Sequence, residues 1–96
     1  MKISDRIACR RQDILRAASR HGASSVHLFG SAARGDDGPA SDADFLVSFD
    51  PDRSLLDQIA LEMDLEAMLD CPVDLVVEGG ISPHLESMIR AEARPL

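Results

Sequence analysis

Three aspartates in this sequence have the setting that carboxylates need for metal chemistry. Asp42 and Asp44 open a β-prone segment, and Asp74 lies inside a second apolar run further along the chain. Because side chains alternate between the two faces of a strand, Asp42 and Asp44 share one face, while Phe45 and Val47 form the core face. If the two strands are neighbours, the three carboxylates meet on one patch. Clustered carboxylates repel one another, and hard oxygen ligands suit Mg²⁺, so the pattern indicates a magnesium site.

A short turn upstream has the composition of a phosphate-binding segment. Residues 30–35 read GSAARG and follow the apolar run that ends at Phe29. Gly30 allows close approach of the backbone, and Ser31 offers a hydroxyl and an N–H at the start of a helical turn, where anions bind. Arg34 could place its charge against a polyphosphate or pair with a structural carboxylate, and the sequence leaves both possibilities open.

The two motifs together carry a family resemblance. GSAARG at residues 30–35, SDADFLV at residues 41–47 and the later Asp74 resemble the nucleotidyltransferase signature of the DNA polymerase β superfamily. The short chain and the Ala-Arg-Gly form of the first motif are similar to the minimal nucleotidyltransferases (MNT) that pair with HEPN-domain toxins. The likeness runs from Val26 to the C-terminal helix. It implies an α/β fold, the minimal polymerase-β-like nucleotidyltransferase fold, with a mixed three-stranded sheet flanked by helices.

The resemblance also implies roles for individual residues. Asp42 and Asp44 correspond to metal ligands, and Asp74 corresponds to the third carboxylate, which also ligates metal and acts as the base. These three residues form the implied catalytic set. The implied nucleotide-binding residues are Gly30, Ser31, Arg34 and Ser41.

The implied activity is nucleotidyl transfer with two Mg²⁺ ions and ATP as the substrate. The ions would activate an attacking hydroxyl and stabilise the pyrophosphate that leaves. For minimal members the resemblance implies an antitoxin that transfers AMP from ATP to a hydroxyl, typically of a tyrosine, on a partner HEPN toxin. Two other functions remain open: a non-catalytic module of the same fold that inhibits its partner by contact, and a nucleotidyltransferase for a small molecule such as an antibiotic. The intact carboxylate set disfavours the first alternative, and the lack of a second domain disfavours the second.

The apolar pattern predicts the element order αβ(short α)βαβα. The long helix after Ser54 carries apolar residues around most of its circumference, so it is expected either to be buried or to cover an interface. The first helix is expected to begin after Ser4 as its N-cap and to end near Gly22. The other expected elements are strands at 26–29, 42–49 and 73–77, a helix at 54–69 and a last helix opened by Ser82 and Pro83.

Composition and charge limit the classes of protein to which this chain can belong. The 96 residues, 45% hydrophobic and 28% charged, predict one folded nucleotidyltransferase domain over residues 1–96. At this size any substrate pocket is expected to be shallow or to be completed by a partner. A net charge of −7, three Phe, no Trp and no Tyr disfavour direct nucleic-acid binding.

Charge is also distributed unevenly along the chain. Residues 1–20 carry six Lys and Arg against two Asp, a net +4, and residues 36–78 carry thirteen Asp and Glu against Arg53, a net −12.

No run approaches the roughly 20 apolar residues of a membrane span, and nothing resembles a signal peptide. We therefore expect a cytoplasmic location, no membrane contact, and Cys9 and Cys71 as reduced, buried side chains.

Overall fold

The computed structural model describes residues 1–38 and 40–96. Within this part of the chain, helices and strands alternate much as the sequence predicts. The elements are α1 (Ile3–Cys9), α2 (Arg11–Arg20), β1 (Ala23–Phe29), α3 (Gly30–Arg34), β2 (Ala43–Phe49), α4 (Leu55–Leu69), β3 (Val73–Val77), α5 (Pro83–Glu92) and β4 (Arg94–Pro95).

The sheet is mixed and has the strand order β3-β2-β1-β4. Strands β2 and β3 are parallel, joined through α4, while β1 runs antiparallel to both β2 and β4. The predicted α/β class and the three predicted strands are confirmed, but the sheet has a fourth strand. Strand β4 pairs with β1 only at His27↔Pro95 and Leu28↔Arg94. Two residues, one of them a proline, are too few to produce an alternating pattern, so the sequence could not predict this edge strand.

The hydrophobic core lies between one face of the sheet and helices α1, α2 and α4. Phe45 and Val47 of β2 are fully buried there, as the alternation predicts. A continuous core of this kind supplies most of the favourable free energy of folding. Its other members include Ile3, Ile7, Ile14, Ala17, Val26, Leu61, Leu65, Leu69 and Val73.

The predicted single N-terminal helix is in fact two helices. Arg10, with φ −109° and ψ 15°, interrupts the helix, and its N–H donates to the carbonyls of Arg6 and Ile7. The apolar spacing continues across this break without Gly or Pro, so the sequence pattern does not reveal it. Ser4 is also not the N-cap, which is Lys2; the Ser4 N–H instead donates to Oδ2 of Asp37, 2.8 Å away.

Helix α4 begins and ends where the sequence predicts, and it is apolar on two sides. Its N-terminus is closed by a capping box in which the Ser54 N–H donates to Oδ2 of Asp57 at 2.9 Å. The buried side of α4 carries Leu61, Leu65 and Leu69, and its exposed side carries Leu55, Leu56, Ile59 and Met63.

None of the helices in the described chain is long and apolar enough to cross a membrane.

The last helix also matches its prediction. The Ser82 hydroxyl accepts a hydrogen bond from the Leu85 N–H at 3.3 Å, and Pro83 occupies the first turn of α5. The expectation for the cysteines is wrong in part, since Cys9 is exposed and Cys71 is half-buried, both as free thiols.

Candidate active site

Asp44 and Asp74 lie side by side on the sheet face opposite the core. They are register partners in the parallel pair β2–β3, and neighbouring strands are about 4.8 Å apart. Both side chains therefore leave the same face at the same level. Asp42 precedes β2 by one residue and is exposed. The condition set from the sequence, that the second and third strands be neighbours, is met.

The electrostatic environment of Asp44 opposes its ionisation. Burial raises the pKa of the Asp44 carboxyl, and the negative charges of Asp74, Asp42 and Glu92 raise it further, while Arg34 acts in the opposite direction. Such a group gains from any cation placed beside it, because a positive charge favours the ionised form. The patch therefore has the charge and the hard oxygen donors that suit a divalent cation.

Gly30 packs directly against Asp44. This residue begins α3, has a φ of +74°, and any Cβ at this position would overlap Oδ2 of Asp44. Both the left-handed backbone and the close approach require glycine. The half-buried Ser31 follows in the same first turn, so the turn that the sequence assigns to phosphates lies beside the carboxylates that it assigns to metal.

Arg34 is held by two carboxylates at the end of α3. Its Nε donates to Oδ2 of Asp36 at 3.1 Å, and its Nη1 donates to Oε1 of Glu92 at 3.0 Å. The first contact, followed by the charges of Asp36 and Glu92, raises the pKa of the guanidinium. Of the two possibilities that the sequence left open for Arg34, the structure contains the carboxylate pairing, and contact with a phosphate stays a prediction.

Ser41 uses its hydroxyl within the loop that precedes β2. Its Oγ accepts a hydrogen bond from the Gly38 N–H at 2.9 Å, and its own N–H donates to the Gly38 carbonyl at 3.2 Å. These bonds set the path of the chain into Asp42. The nucleotide-binding role of Ser41 stays a prediction.

Glu92 is the site residue that sequence reasoning missed. It ends α5, and its Oε1 accepts hydrogen bonds from the Gly30 N–H at 2.5 Å and from Arg34 Nη1. It lies 62 positions from Gly30 in the sequence, and no pattern signals the contact. Only the return of the C-terminal segment to β1 brings it there.

The carboxylates are adjacent but do not surround a common point. Across residues 1–38 and 40–96, no group of three or more His, Cys, Asp or Glu side chains is arranged to hold a metal ion. Metal binding by Asp42, Asp44 and Asp74 therefore stays a prediction, supported by their donor chemistry and by the raised pKa of Asp44.

The fold is that of a nucleotidyltransferase, and comparison with known proteins shows the family. Residues 11–96 match the family described as "Nucleotidyltransferase domain". The chain belongs to this nucleotidyltransferase family and is an enzyme of that class.

Two relatives carry the likeness to minimal members. "Putative protein adenylyltransferase MJ0435" of Methanocaldococcus jannaschii is 39% identical over 74 residues, covering 77% of this chain and 80% of the relative. "Protein adenylyltransferase MntA" of Thermococcus cleftensis is 38% identical over 73 residues, covering 76% of this chain and 74% of the relative. The resemblance to minimal nucleotidyltransferases is thereby confirmed.

Solved structures share the fold. The "Structure of putative minimal nucleotidyltransferase" superposes with a TM-score of 0.89 at 42% identity and covers 100% of this chain and 97% of the other. A toxin–antitoxin structure with AMP-PNP has a TM-score of 0.76 at 23% identity, and the match covers 88% of this chain and 69% of the other. A tri-AMPylated HEPN toxin in complex with its MNT antitoxin, from Shewanella oneidensis, has a TM-score of 0.71 at 20% identity, and the match covers 92% of this chain and 69% of the other.

Proposed function

We propose that this protein is a Mg²⁺-dependent protein adenylyltransferase and an antitoxin, which transfers AMP from ATP to a tyrosine hydroxyl of a partner HEPN toxin in the cytoplasm. The observation that carries the proposal is the pairing of Asp44 with Asp74 beside the Gly30 turn. The relatives named as protein adenylyltransferases support a protein acceptor. The structural neighbours that contain a HEPN toxin or AMP-PNP support the partner and the nucleotide.

Five residues of the predicted site have a task in this reaction. The carboxylates of Asp42, Asp44 and Asp74 would hold two Mg²⁺ ions, which supply positive charge to the triphosphate and acidify the attacking hydroxyl. The backbone N–H groups at Gly30 and Ser31 would bind phosphate oxygens.

The bond changes follow from that placement. The acceptor oxygen attacks the α-phosphorus of ATP, a new P–O bond forms, and the bond to pyrophosphate breaks. Asp74 accepts the hydroxyl proton, because it borders the site on the exposed side of β3. The products are an AMP-modified side chain and pyrophosphate.

The acceptor is expected to come from a partner because two of the three carboxylates, those of Asp42 and Asp74, are exposed. A cleft of about 390 Å³ lies between α2 and the start of β1, with Leu15, Ser24 and Asp50 in its lining, and includes none of the predicted site residues. A protein that presents a hydroxyl on its own surface segment needs no such cleft.

The exposed side of α4 is our candidate for the toxin-docking surface. Large apolar side chains project there into solvent, and Leu56 and Met63 are 76% and 63% exposed. The helix contains four Asp and Glu and no Lys or Arg, so its charge complements a partner whose apolar surface is bordered by basic residues. A second copy of this chain fits less well, because each copy carries a net charge of −7.

The test takes as partner a HEPN-domain protein encoded in a reading frame next to the one for this chain. Incubated with this protein, ATP and Mg²⁺, the partner should gain the mass of one AMP, or of a small whole number, and stay inactive after this protein is removed. A doubly substituted Asp42→Asn/Asp44→Asn protein should bind the partner but fail to protect cells. If that variant protects as well as wild type and the partner's mass does not change, inhibition by contact alone is the function.

A further inference from the structure

Glu92 occupies hydrogen-bond donors that the proposed function gives to ATP. Its carboxylate accepts from the Gly30 N–H and from Arg34, at 2.5 Å and 3.0 Å. The backbone N–H groups of a turn that opens a helix bind phosphate oxygens in the same way. The negative charge of one side chain is therefore located where the negative charge of a nucleotide is expected.

The two anions cannot share these donors. A phosphate at the Gly30 N–H would meet the Glu92 carboxylate at contact distance, and Asp44 already lies against Gly30. Like charges at that separation repel strongly in a partly buried site. Binding of the triphosphate therefore requires the Glu92 carboxylate to leave.

We propose that Glu92 is an internal competitor of the nucleotide, whose carboxylate holds the Gly30 N–H and Arg34 in the free protein and weakens the binding of ATP. The inference rests on the proposed function, because it takes the Gly30 turn as the phosphate-binding segment. Helix α5, which ends at Glu92, thereby controls when the Gly30 turn can bind ATP.

The backbone around Glu92 is anchored, so a rotation of the side chain is sufficient for its release. Strand β4, which begins two residues after Glu92, pairs with β1, and the Leu96 N–H donates to the Val26 carbonyl at 3.1 Å. Glutamate has three rotatable side-chain bonds, and Glu92 is half-buried at the C-terminal end of α5. Opening therefore leaves the sheet intact and adds no refolding step.

A purely structural role makes the opposite prediction. If Glu92 only holds the turn in a shape that nucleotide needs, its replacement weakens ATP binding. If it competes, its replacement strengthens binding. The sign of the change in affinity separates the two roles, and Glu92→Gln is the sharpest variant because it keeps an acceptor for the Gly30 N–H and removes only the charge.

Helix α5 contains a matched control. Glu86 also accepts from a glycine, the Gly79 N–H at 2.8 Å, and lies 3.5 Å from Nη2 of Arg90. It makes the same kind of contact as Glu92 at the other end of the helix. Glu86→Gln therefore changes the net charge equally without touching the candidate site.

The experiment is calorimetric titration of wild type, Glu92→Gln, Glu92→Ala and Glu86→Gln with Mg²⁺-ATP, with inorganic tripolyphosphate and with adenosine. Both Glu92 variants should bind ATP and tripolyphosphate about tenfold more tightly than wild type, equivalent to about 1.4 kcal/mol. Glu86→Gln should match wild type, and adenosine affinity should not change in any variant. Melting temperatures identify any variant that has lost its fold.

Equal or weaker ATP binding by folded Glu92→Gln overturns the inference while leaving the proposed function intact, provided that wild type binds ATP. If neither wild type nor any variant binds ATP or tripolyphosphate, the proposed function fails and the inference fails with it. Tighter adenosine binding would also count against competition, because adenosine carries no phosphate.

Discussion

Asp44 and Asp74 occupy paired positions on the parallel strands β2 and β3, with Gly30 packed against the first of them. The pairing concentrates negative charge on a sheet face where burial already raises the pKa of Asp44. A fold gains no stability from such repulsion, so the arrangement is best explained by chemistry. The effect of this arrangement on stability and its effect on catalysis can be measured separately.

Asp44→Asn is expected to abolish transfer without destabilising the fold. The substitution removes a proposed metal ligand and, at the same time, the repulsion that Asp74 and Asp42 exert on Asp44. We expect the rate of AMP incorporation to fall on the order of 100-fold or more, while the melting temperature stays equal or rises. Asp52→Asn makes the same chemical change on the surface and should leave both quantities unchanged. A large fall in melting temperature in Asp44→Asn would make this aspartate structural.

Two glycines with similar backbones separate the effect of strain from the effect of the site. Gly30 has φ +74° and touches Asp44, whereas Gly35 has φ +80° and nothing within 4 Å of a Cβ. Gly35→Ala should cost about 1–2 kcal/mol, the strain of a left-handed backbone. Gly30→Ala should cost more in urea unfolding and should also lose activity. Equal losses of stability would mean that Asp44 yields to the added methyl group.

Metal and nucleotide are expected to bind together. The carboxylates of Asp42, Asp44 and Asp74 need a cation, and Mg²⁺ completes its coordination with phosphate oxygens. Calorimetric titration should therefore give a higher ATP affinity with Mg²⁺ than with a chelator present. Asp44→Asn should reduce that difference. Equal affinity in both conditions would contradict a metal bridge between the protein and the triphosphate.

The sequence predicts the strands, α4 and α5 because these elements have strong local signals. Strand β2 alternates cleanly up to Phe49, α4 has its Ser54 cap, and α5 begins with Pro83. The motif spacing also predicts that Asp44 and Asp74 share a face, since only the adjacency of two strands had to be assumed.

The features that the sequence did not predict depend on contacts between distant segments. The contact of Glu92 with Gly30 needs the C-terminal segment to return to β1, and strand β4 is too short to have a pattern. The break at Arg10 has no Gly or Pro to mark it. For α4 the apolar pattern leaves two alternatives, a fully buried helix or a helix that covers an interface. Hydrophobicity alone does not say which side of a helix finds a neighbour.

A hydrogen bond between His21, which follows α2, and Asp64 of α4 should make stability depend on acid pH. His21 Nε2 lies 2.6 Å from Oδ2 of Asp64, and this hydrogen bond is the largest factor that lowers the pKa of Asp64. A lowered folded-state pKa means that the stabilisation is present above the ordinary value of 3.8 and is lost as pH falls through the folded value. Asp64→Asn should therefore show a smaller fall in melting temperature from about pH 5 to about pH 3 than wild type. Glu66→Gln, an exposed change on the same helix, should follow the wild-type curve.

The exposed side of α4 is expected to bind the partner protein. Polar substitution there should weaken binding without unfolding the chain, because Leu56 and Met63 are largely exposed and make no part of the core. A few buried apolar side chains dominate the binding energy of an interface. The double substitution Leu56→Gln/Met63→Gln should therefore raise the Kd for the HEPN-domain partner roughly 10- to 100-fold. The matched control is Leu85→Gln/Met88→Gln, which changes the exposed apolar residues of α5. If the α5 pair weakens binding and the α4 pair does not, the partner docks on the helix that carries Glu92, and the α4 surface has another occupant.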